Sequence, residues 1–481
     1  MVSGRGRSSR IGVSVVLATF VAAGLQGCAM FRKYDMAQIH GESAARPERN
    51  PVIFIHGFIG AKLRNRQTHE SAWGKFSNAI WRRKSDDLSL PIDALPITEN
   101  RDELMAYSIY ESVAGVKFYG SILDILQTAG GYQMGDINNP KPGDTLFVYF
   151  YDWRRDNVEA AAGLGRAIQQ IKSRLKNPEL KFDIVAHSMG GLIAQYYLKY
   201  GSEDVLSEGA DHPVTYAGAP NLGRLVLVGT PLRGTMHAFR TLQAGISRTL
   251  SPEVLFTMPS LYQLLPTRAQ GHFVDAQGQM LDVDLYDAAT WVRNGWSVFN
   301  PRLSAGRIRE SFGLERSDPS ADAGGPAPLV RFLQAALDRA RAFHAALDRE
   351  GLEESPVPIH VFGSDCIPTL ERAVLKQGPG GPLTLFNDEN TRDRDARQLE
   401  RMMLSPGDGT VTADSLLDLD ARPDEAVGLA AEASKPFSST FFFCESHGFL
   451  SANKSFQDNL FYVLFYSSTR PGALAARAIG R

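Results

Sequence analysis

Phe182-Asp183-Ile184-Val185-Ala186-His187-Ser188-Met189-Gly190-Gly191 decides how this chain is read. An apolar run fit for a buried strand enters a small-x-Ser-x-Gly turn, and a helix-forming run, Leu192 to Lys199, leaves it. Such a strand, turn and helix form a nucleophile elbow, in which the serine sits on a sharp bend with its hydroxyl raised above the sheet. Small residues flank the serine because strand and helix pass close to each other there. Ala186 stands where a first glycine is more usual, and its methyl group still fits.

Outward from the elbow, short apolar runs alternate with amphipathic ones. Pro51 to Phe58 reads as a buried parallel strand ended by glycine, and Thr145 to Tyr151 as the next one. Val158 to Lys176 reads as a helix, and Arg224 to Gly229 as a strand closed by Thr230-Pro231. Strands alternating with helices predict a parallel sheet covered on both faces. Residues 232–355 break the rhythm with polar loops, the low-complexity stretch Ser317 to Pro328, and a helix from Pro328 to Arg349. Along that helix Leu329, Phe332, Leu333, Leu337, Ala340, Phe343 and Leu347 recur at three- and four-residue spacing. The block reads as a cap inserted into the sheet domain, whose two parts are then 51–231 and 356–470. The second part holds strands at Pro358 to Gly363 and Ser439 to Cys444, and a helix near Phe456 to Tyr466.

A serine hydroxyl at neutral pH needs a base, and the base needs a carboxylate to orient it. After an elbow serine the acid comes first in the chain and the histidine second. His212, His237, His272, His344, His360 and His447 all follow Ser188, but only His447 comes just after a late apolar strand, in Cys444-Glu445-Ser446-His447-Gly448. Two acids are candidates: Asp365, directly after a strand, and Asp408, in the turn Gly407-Asp408-Gly409-Thr410-Val411. Asp408 is favoured, because its flanking glycines let the backbone bend around a short acid. The oxyanion donors are expected to be the N–H of Met189, next after the nucleophile, and that of Phe58, after the His56-Gly57 strand. His56 itself is expected to brace that loop by hydrogen bonds.

The N-terminus reads as an address. Arg5, Arg7 and Arg10 precede an apolar run from Ile11 to Leu25, which is short for a bilayer span of about 20 residues. Leu25-Gln26-Gly27-Cys28 resembles a bacterial lipobox. The resemblance implies a signal peptide over 1–27, lipidation of Cys28, and a tether over 28–50. By the same resemblance, Ala29 after the cysteine, in place of an aspartate, implies the outer membrane of a Gram-negative envelope. The whole chain carries a net charge of −2 with no long basic run, which leaves nucleic-acid binding without support. Cys366 and Cys444 then remain at the ends of two strand-like runs; neighbouring strands would bring them into a disulfide, and distant ones would leave two buried thiols. No cluster with metal-ligand spacing is present in the sequence, and no cofactor is required.

Several stretches together resemble the lecithin:cholesterol acyltransferase-like branch of the α/β-hydrolases. They are Pro51 to Leu63, Tyr151 to Arg155 (YDWRR), Ala186 to Gly191, Gly407 to Val411 (GDGTV) and Ser446 to Leu450, with looser likeness in Leu227 to Arg233 and Met258 to Pro266. The resemblance implies an α/β-hydrolase fold and a triad of Ser188, Asp408 and His447, with the oxyanion loop at His56-Gly57-Phe58. It also implies acyl transfer from lipid esters through an acyl-enzyme. The family often has proline-glycine where this chain has His56-Gly57. Residues 61–100 contain no cysteine, so a cysteine-bridged lid has no counterpart. The YDWRR motif is expected to be an acid–arginine pair steadying a strand end, with a direct substrate contact as the alternative. Leu255, Phe256, Leu261, Tyr262, Leu264, Trp291 and Trp296 suit either an acyl-chain pocket or a plain core. The expected partner is a membrane lipid substrate, met at the membrane surface through the anchor. A serine hydrolase of non-lipid esters or amides, and a non-catalytic envelope lipoprotein with this fold, are the alternatives.

Overall fold

The computed structural model describes residues 40–41 and most of 49–467; the longest stretches outside that description are 1–39, 75–87, 313–326, 387–395, 420–436 and 468–481. The signal peptide, Cys28 and nearly all of the tether lie outside the described residues.

The first strand, β1 (Val52–Ile55), leads into an antiparallel excursion of β2 (Ala61–Asn65), β3 (Ser71–Trp73) and β4 (Leu104–Ile109), then α1 (Gly120–Thr128). The alternating series follows: β5 (Leu146–Tyr149), α2 (Asn157–Arg174), β6 (Phe182–His187), α3 (Met189–Tyr200) and β7 (Leu222–Val228). After α4 (Met236–Ala244) and α5 (Ala327–Asp348) come β8 (Ile359–Gly363), β9 (Ile367–Leu370), β10 (Leu404–Gly407), β11 (Ser439–Phe442) and α6 (Lys454–Tyr466). Six strands form one sheet in the order β11-β8-β7-β6-β1-β5, every neighbour parallel.

The largely apolar strands follow from burial on both faces. Ile53, Ile55, Ile184, Ala186, Leu225, Leu227 and Val361 join the larger core under α2, α3 and α5. Their neighbours Val52, Phe54, Val185, Val226, Val228 and Phe362 join a second core under α1 and α6. Successive side chains of a strand point to opposite faces, so a strand between two helical layers is mostly apolar, and Asp183 of β6 is paired with Arg224 of β7 at 3.0 Å.

The helix expected at 328–349 forms as α5, and it packs on α3 of the sheet domain. Phe343 stacks on Tyr196 of α3 with centroids 5.8 Å apart, and Tyr200 donates to the Ala346 carbonyl at 2.8 Å. Arg339 of α5 reaches Asp156, the residue that caps α2, and also Asp204. The apolar stripe named from the sequence is the face that α5 buries. Phe273–Val274, within 232–355, pairs with Ala373–Gly378, which pairs in turn with Gly381–Leu385. Leu255, Phe256, Leu261, Tyr262, Trp291 and Trp296 are all closed off from solvent inside the larger core, with Trp291 and Trp296 edge to face at 5.7 Å. In this structure they are core. Among the described residues no helix is long and apolar enough to cross a membrane.

Candidate active site

β6 delivers Ser188 to the rim of the sheet on a backbone that few L-residues adopt, with φ 55° and ψ −127°. The strain is held in place by the Ser188 N–H donating to the Val228 carbonyl at 2.8 Å and by Gly191 N–H returning to the Ser188 carbonyl at 2.9 Å. Close approach explains the two glycines of the turn. A Cβ on Gly190 would lie 2.5 Å from the His56 carbonyl oxygen, and one on Gly191 would lie 2.0 Å from Thr230 Oγ1.

Asp408 and His447 meet this serine in one line. Ser188 Oγ lies 2.9 Å from His447 Nε2, and His447 Nδ1 lies 2.7 Å from Asp408 Oδ2. Asp408 stands at the end of β10, nearly closed off from solvent. Its Oδ1 accepts from the N–H groups of Thr410 at 2.9 Å and Val411 at 2.7 Å. Burial alone would push this carboxyl up, but the charge and hydrogen bond of His447 and the two N–H groups outweigh it and hold the group below the usual carboxylate range. Asp408 therefore stays ionised and fixes the His447 proton on Nδ1, leaving Nε2 free to accept. The same pair is clamped through the backbone, where His447 N–H donates to the Asp408 carbonyl at 2.9 Å. Asp365 is elsewhere, an exposed residue in the bend after β8. Cys366, its neighbour, is joined to Cys444 in a disulfide, tying the exit of β8 to the segment three residues before His447.

The loop after β1 lies against the serine so closely that a Cβ on Gly57 would stand 2.8 Å from Ser188 Cβ. His56 braces it as expected from the sequence. Its Nδ1–H donates to the Gly57 carbonyl at 2.7 Å, and its Nε2 accepts from Tyr151 N–H at 3.3 Å. The His56 ring stacks on Tyr151, 4.2 Å between centroids. The Gly57 carbonyl also accepts from Gly60 N–H at 3.1 Å. That carbonyl belongs to the same planar trans peptide as the Phe58 N–H, so holding the oxygen on one side fixes the N–H on the other. Met189 N–H is the first of α3, where no intrahelical acceptor exists. Among the described residues neither N–H donates to a main-chain carbonyl.

Around these residues lies machinery that spacing did not reveal. Arg154 of the YDWRR stretch is fully buried and paired with Asp152 at 2.7 Å, the pair expected from the sequence. It is paired equally with Asp102, 52 residues upstream, at 2.7 Å, and donates to the Leu88 carbonyl. The arginine thus anchors the β2–β4 excursion to the strand end. Trp153 meanwhile packs edge to face on Phe58 at 5.1 Å. His187 and Tyr119 are a second pair of this kind, in contact at 3.0 Å. A histidine beside an elbow serine carries no periodic signal, and Tyr119 is 68 positions from its partner.

Burial also makes the fold sensitive to acid. His56, His344 and His360 are buried, which lowers each to about 4, and His187 falls to about 3 by burial and the charge of His447. In the unfolded chain each takes up a proton near pH 6.5, so below that pH the unfolded state binds more protons and stability falls toward pH 4. The slope reaches about 1.4 kcal/mol per pH unit for each histidine. Asp183, pushed up to about 6 by burial in spite of Arg224, opposes a part of this. Urea-unfolding midpoints should hold from pH 8 to 7 and drop steeply from 6.5 to 5. A midpoint unchanged at pH 5 would refute neutral burial of these rings.

The sequence model of the lecithin:cholesterol acyltransferase family matches residues 113–270, a stretch that takes in Ser188 and ends before Asp408 and His447. An uncharacterized protein of Saccharomyces cerevisiae, YJR098C, is 23% identical over 271 residues, 56% of this chain; the match spans only 37% of that curated relative. Among solved structures, the Tle4–Tli4 complex contains a chain that aligns with a TM-score of 0.54 at 15% identity, covering 87% of this chain and 98% of its own. That likeness shows the fold. The mature lipase BlEst2 of Bacillus licheniformis aligns over 87% of this chain and 91% of its own, at 11% identity and a TM-score of 0.31. The elbow, the parallel sheet and the likeness in fold make this an α/β-hydrolase fold, of which residues 113–270 are similar to the lecithin:cholesterol acyltransferase family.

Proposed function

We propose that the protein is a serine-dependent lipid acyl-ester hydrolase or acyltransferase of the phospholipase A or lipase kind. The observation that carries the reading is the unbroken line from Ser188 Oγ through His447 to Asp408. Ser188 Oγ attacks the ester carbonyl carbon while its proton passes to His447 Nε2. Asp408 stabilises the imidazolium that results. The carbonyl oxygen, now carrying the negative charge, is received by the N–H groups of Phe58 and Met189; losing one such donor typically costs about 3 kcal/mol in the transition state. Collapse breaks the bond to the leaving alcohol, which takes the proton from Nε2, and the acyl group rests on Ser188. Water or a second alcohol, deprotonated by the same nitrogen, then removes it.

A lipid ester fits the surroundings. The family match supports an ester hydrolase or acyltransferase. At the rim, Phe449, two residues from His447, is 40% exposed and faces Phe118 at 6.3 Å, a pair of aromatic rings suited to an apolar substituent. Lipidation of Cys28 after removal of residues 1–27 would hold the enzyme at a membrane surface, in the outer membrane of a Gram-negative envelope, with its substrate in the same bilayer. Neither nucleic acid nor a cofactor enters the proposal.

Two measurements test it. A fluorophosphonate probe should label the wild-type protein on the peptide that contains Ser188, located by mass spectrometry. Incubation with mixed phospholipids and a sterol should release fatty acid or form a new ester. Absence of labelling would remove the enzymatic reading, and hydrolysis confined to short-chain nitrophenyl esters would remove the lipid.

A further inference from the structure

A second chain of hydrogen bonds links the loop after β1 to the backbone of His447. Gly57 N–H donates to Tyr119 Oη at 3.0 Å, and Tyr119 Oη lies 3.0 Å from His187 Nδ1. His187 Nε2 lies 3.1 Å from the carbonyl oxygen of His447. Gly57, Tyr119 and His187 are all buried. The direction of every bond follows from the groups themselves. The Gly57 amide and the His447 carbonyl are fixed as donor and acceptor. His187 must then carry its proton on Nε2, which leaves Nδ1 to accept the phenolic proton of Tyr119. No other placement of protons on a neutral imidazole satisfies all four groups.

We propose that Tyr119 and His187 are positioning residues that hold the oxyanion loop and the catalytic base at one fixed separation. The inference rests on the acyl-enzyme reading above. One end of the chain grips the N–H of Gly57, the residue before the Phe58 donor, while the His56 clamp grips the Gly57 carbonyl. The other end grips the main chain of His447 itself. His447 is thereby held at three points: ring Nδ1 and backbone N–H on Asp408, and carbonyl oxygen on His187. The imidazole of His187 packs 4.8 Å from that of His447, near enough that a charge on it would oppose the imidazolium formed during the reaction. Burial keeps His187 neutral, so it braces the base without that penalty. Tyr119 sits at the start of α1, with its ring against Phe54 of β1 at 5.2 Å, so the phenol is delivered by packing that does not involve its hydroxyl.

The test is a double-mutant cycle read by kcat, KM and the rate constant of fluorophosphonate labelling, with thermal midpoints recorded alongside. Tyr119→Phe and His187→Leu should each lower kcat and the labelling rate by tenfold or more with KM within twofold. The double variant should be no slower than the slower single one, because either change opens the same chain. His187→Gln, whose amide offers one donor and one acceptor, should recover most of the loss. Losses that multiply in the double variant, or that track only the fall in thermal midpoint, would overturn the proposal. Tyr119→Phe keeps the ring contacts and alone suffices if His187→Leu does not fold: an unchanged labelling rate overturns the positioning role. Failure of the acyl-enzyme reading looks different, since the wild type itself would then not label.

Discussion

Ser188→Ala should lower kcat on ester substrates by about 10⁶-fold, since removing the nucleophile of a Ser-His-Asp unit disables the unit as a whole. The structure gives little reason for the variant to misfold. The hydroxyl bonds only to His447 Nε2 among the described residues, and the 55° φ of position 188 is set by the Val228 and Gly191 backbone bonds, which alanine retains. Replacing His447 as well should cost almost nothing more, because a base without a nucleophile has no proton to take. Whatever rate remains comes from the Phe58 and Met189 donors and from binding. Loss of fluorophosphonate labelling should accompany loss of turnover. The measurement is steady-state kcat on a long-chain ester, with the circular-dichroism spectrum unchanged. A variant retaining even a hundredth of the wild-type rate would mean that Ser188 is not the attacking group.

The elements that place this serine were legible because local chemistry specifies them. An apolar run between two helical layers has one reading, and the crowding around Ser188 permits only small neighbours, so β6, the elbow and α3 are written within a few residues of each other. His447 and Asp408 were legible for a related reason: the histidine follows a late apolar strand, and the glycines on either side of Asp408 mark a bend around a short acid. What could not be read is contact between segments that carry no pattern. Nothing near Arg154 indicates that Asp102 will be its second partner, and nothing in Phe118-Tyr119-Gly120 indicates a bond to His187. The helix α5 illustrates the intermediate case. Its periodicity announces an apolar face, but only the folded chain shows that Tyr196 and Tyr200 of α3 receive it. The aromatic residues before it satisfied two readings equally, because an acyl pocket and a core demand the same side chains.

Asp408→Asn should lower kcat by about 10⁴-fold while leaving the fold in place. The carboxylate makes two kinds of contact, and asparagine preserves one of them. An amide oxygen can still accept from the N–H groups of Thr410 and Val411, so the turn that follows β10 keeps its shape. On the other side an amide NH₂ replaces Oδ2 and meets His447 Nδ1 as a donor where an acceptor is needed. The imidazole answers by moving its proton to Nε2, and that nitrogen can no longer take the proton of Ser188. The loss therefore falls on kcat, because the wrong tautomer affects the reacting atoms and not the acyl or head-group contacts. The labelling rate with fluorophosphonate should fall in parallel, since phosphonylation needs the same proton transfer. Asp365→Asn is the control: that side chain is exposed, so its kcat should stay within about twofold of wild type. If the two variants exchanged behaviour, the acid would have to reach His447 from the β8 bend, and the 2.7 Å bond to Asp408 would be the contact that fails.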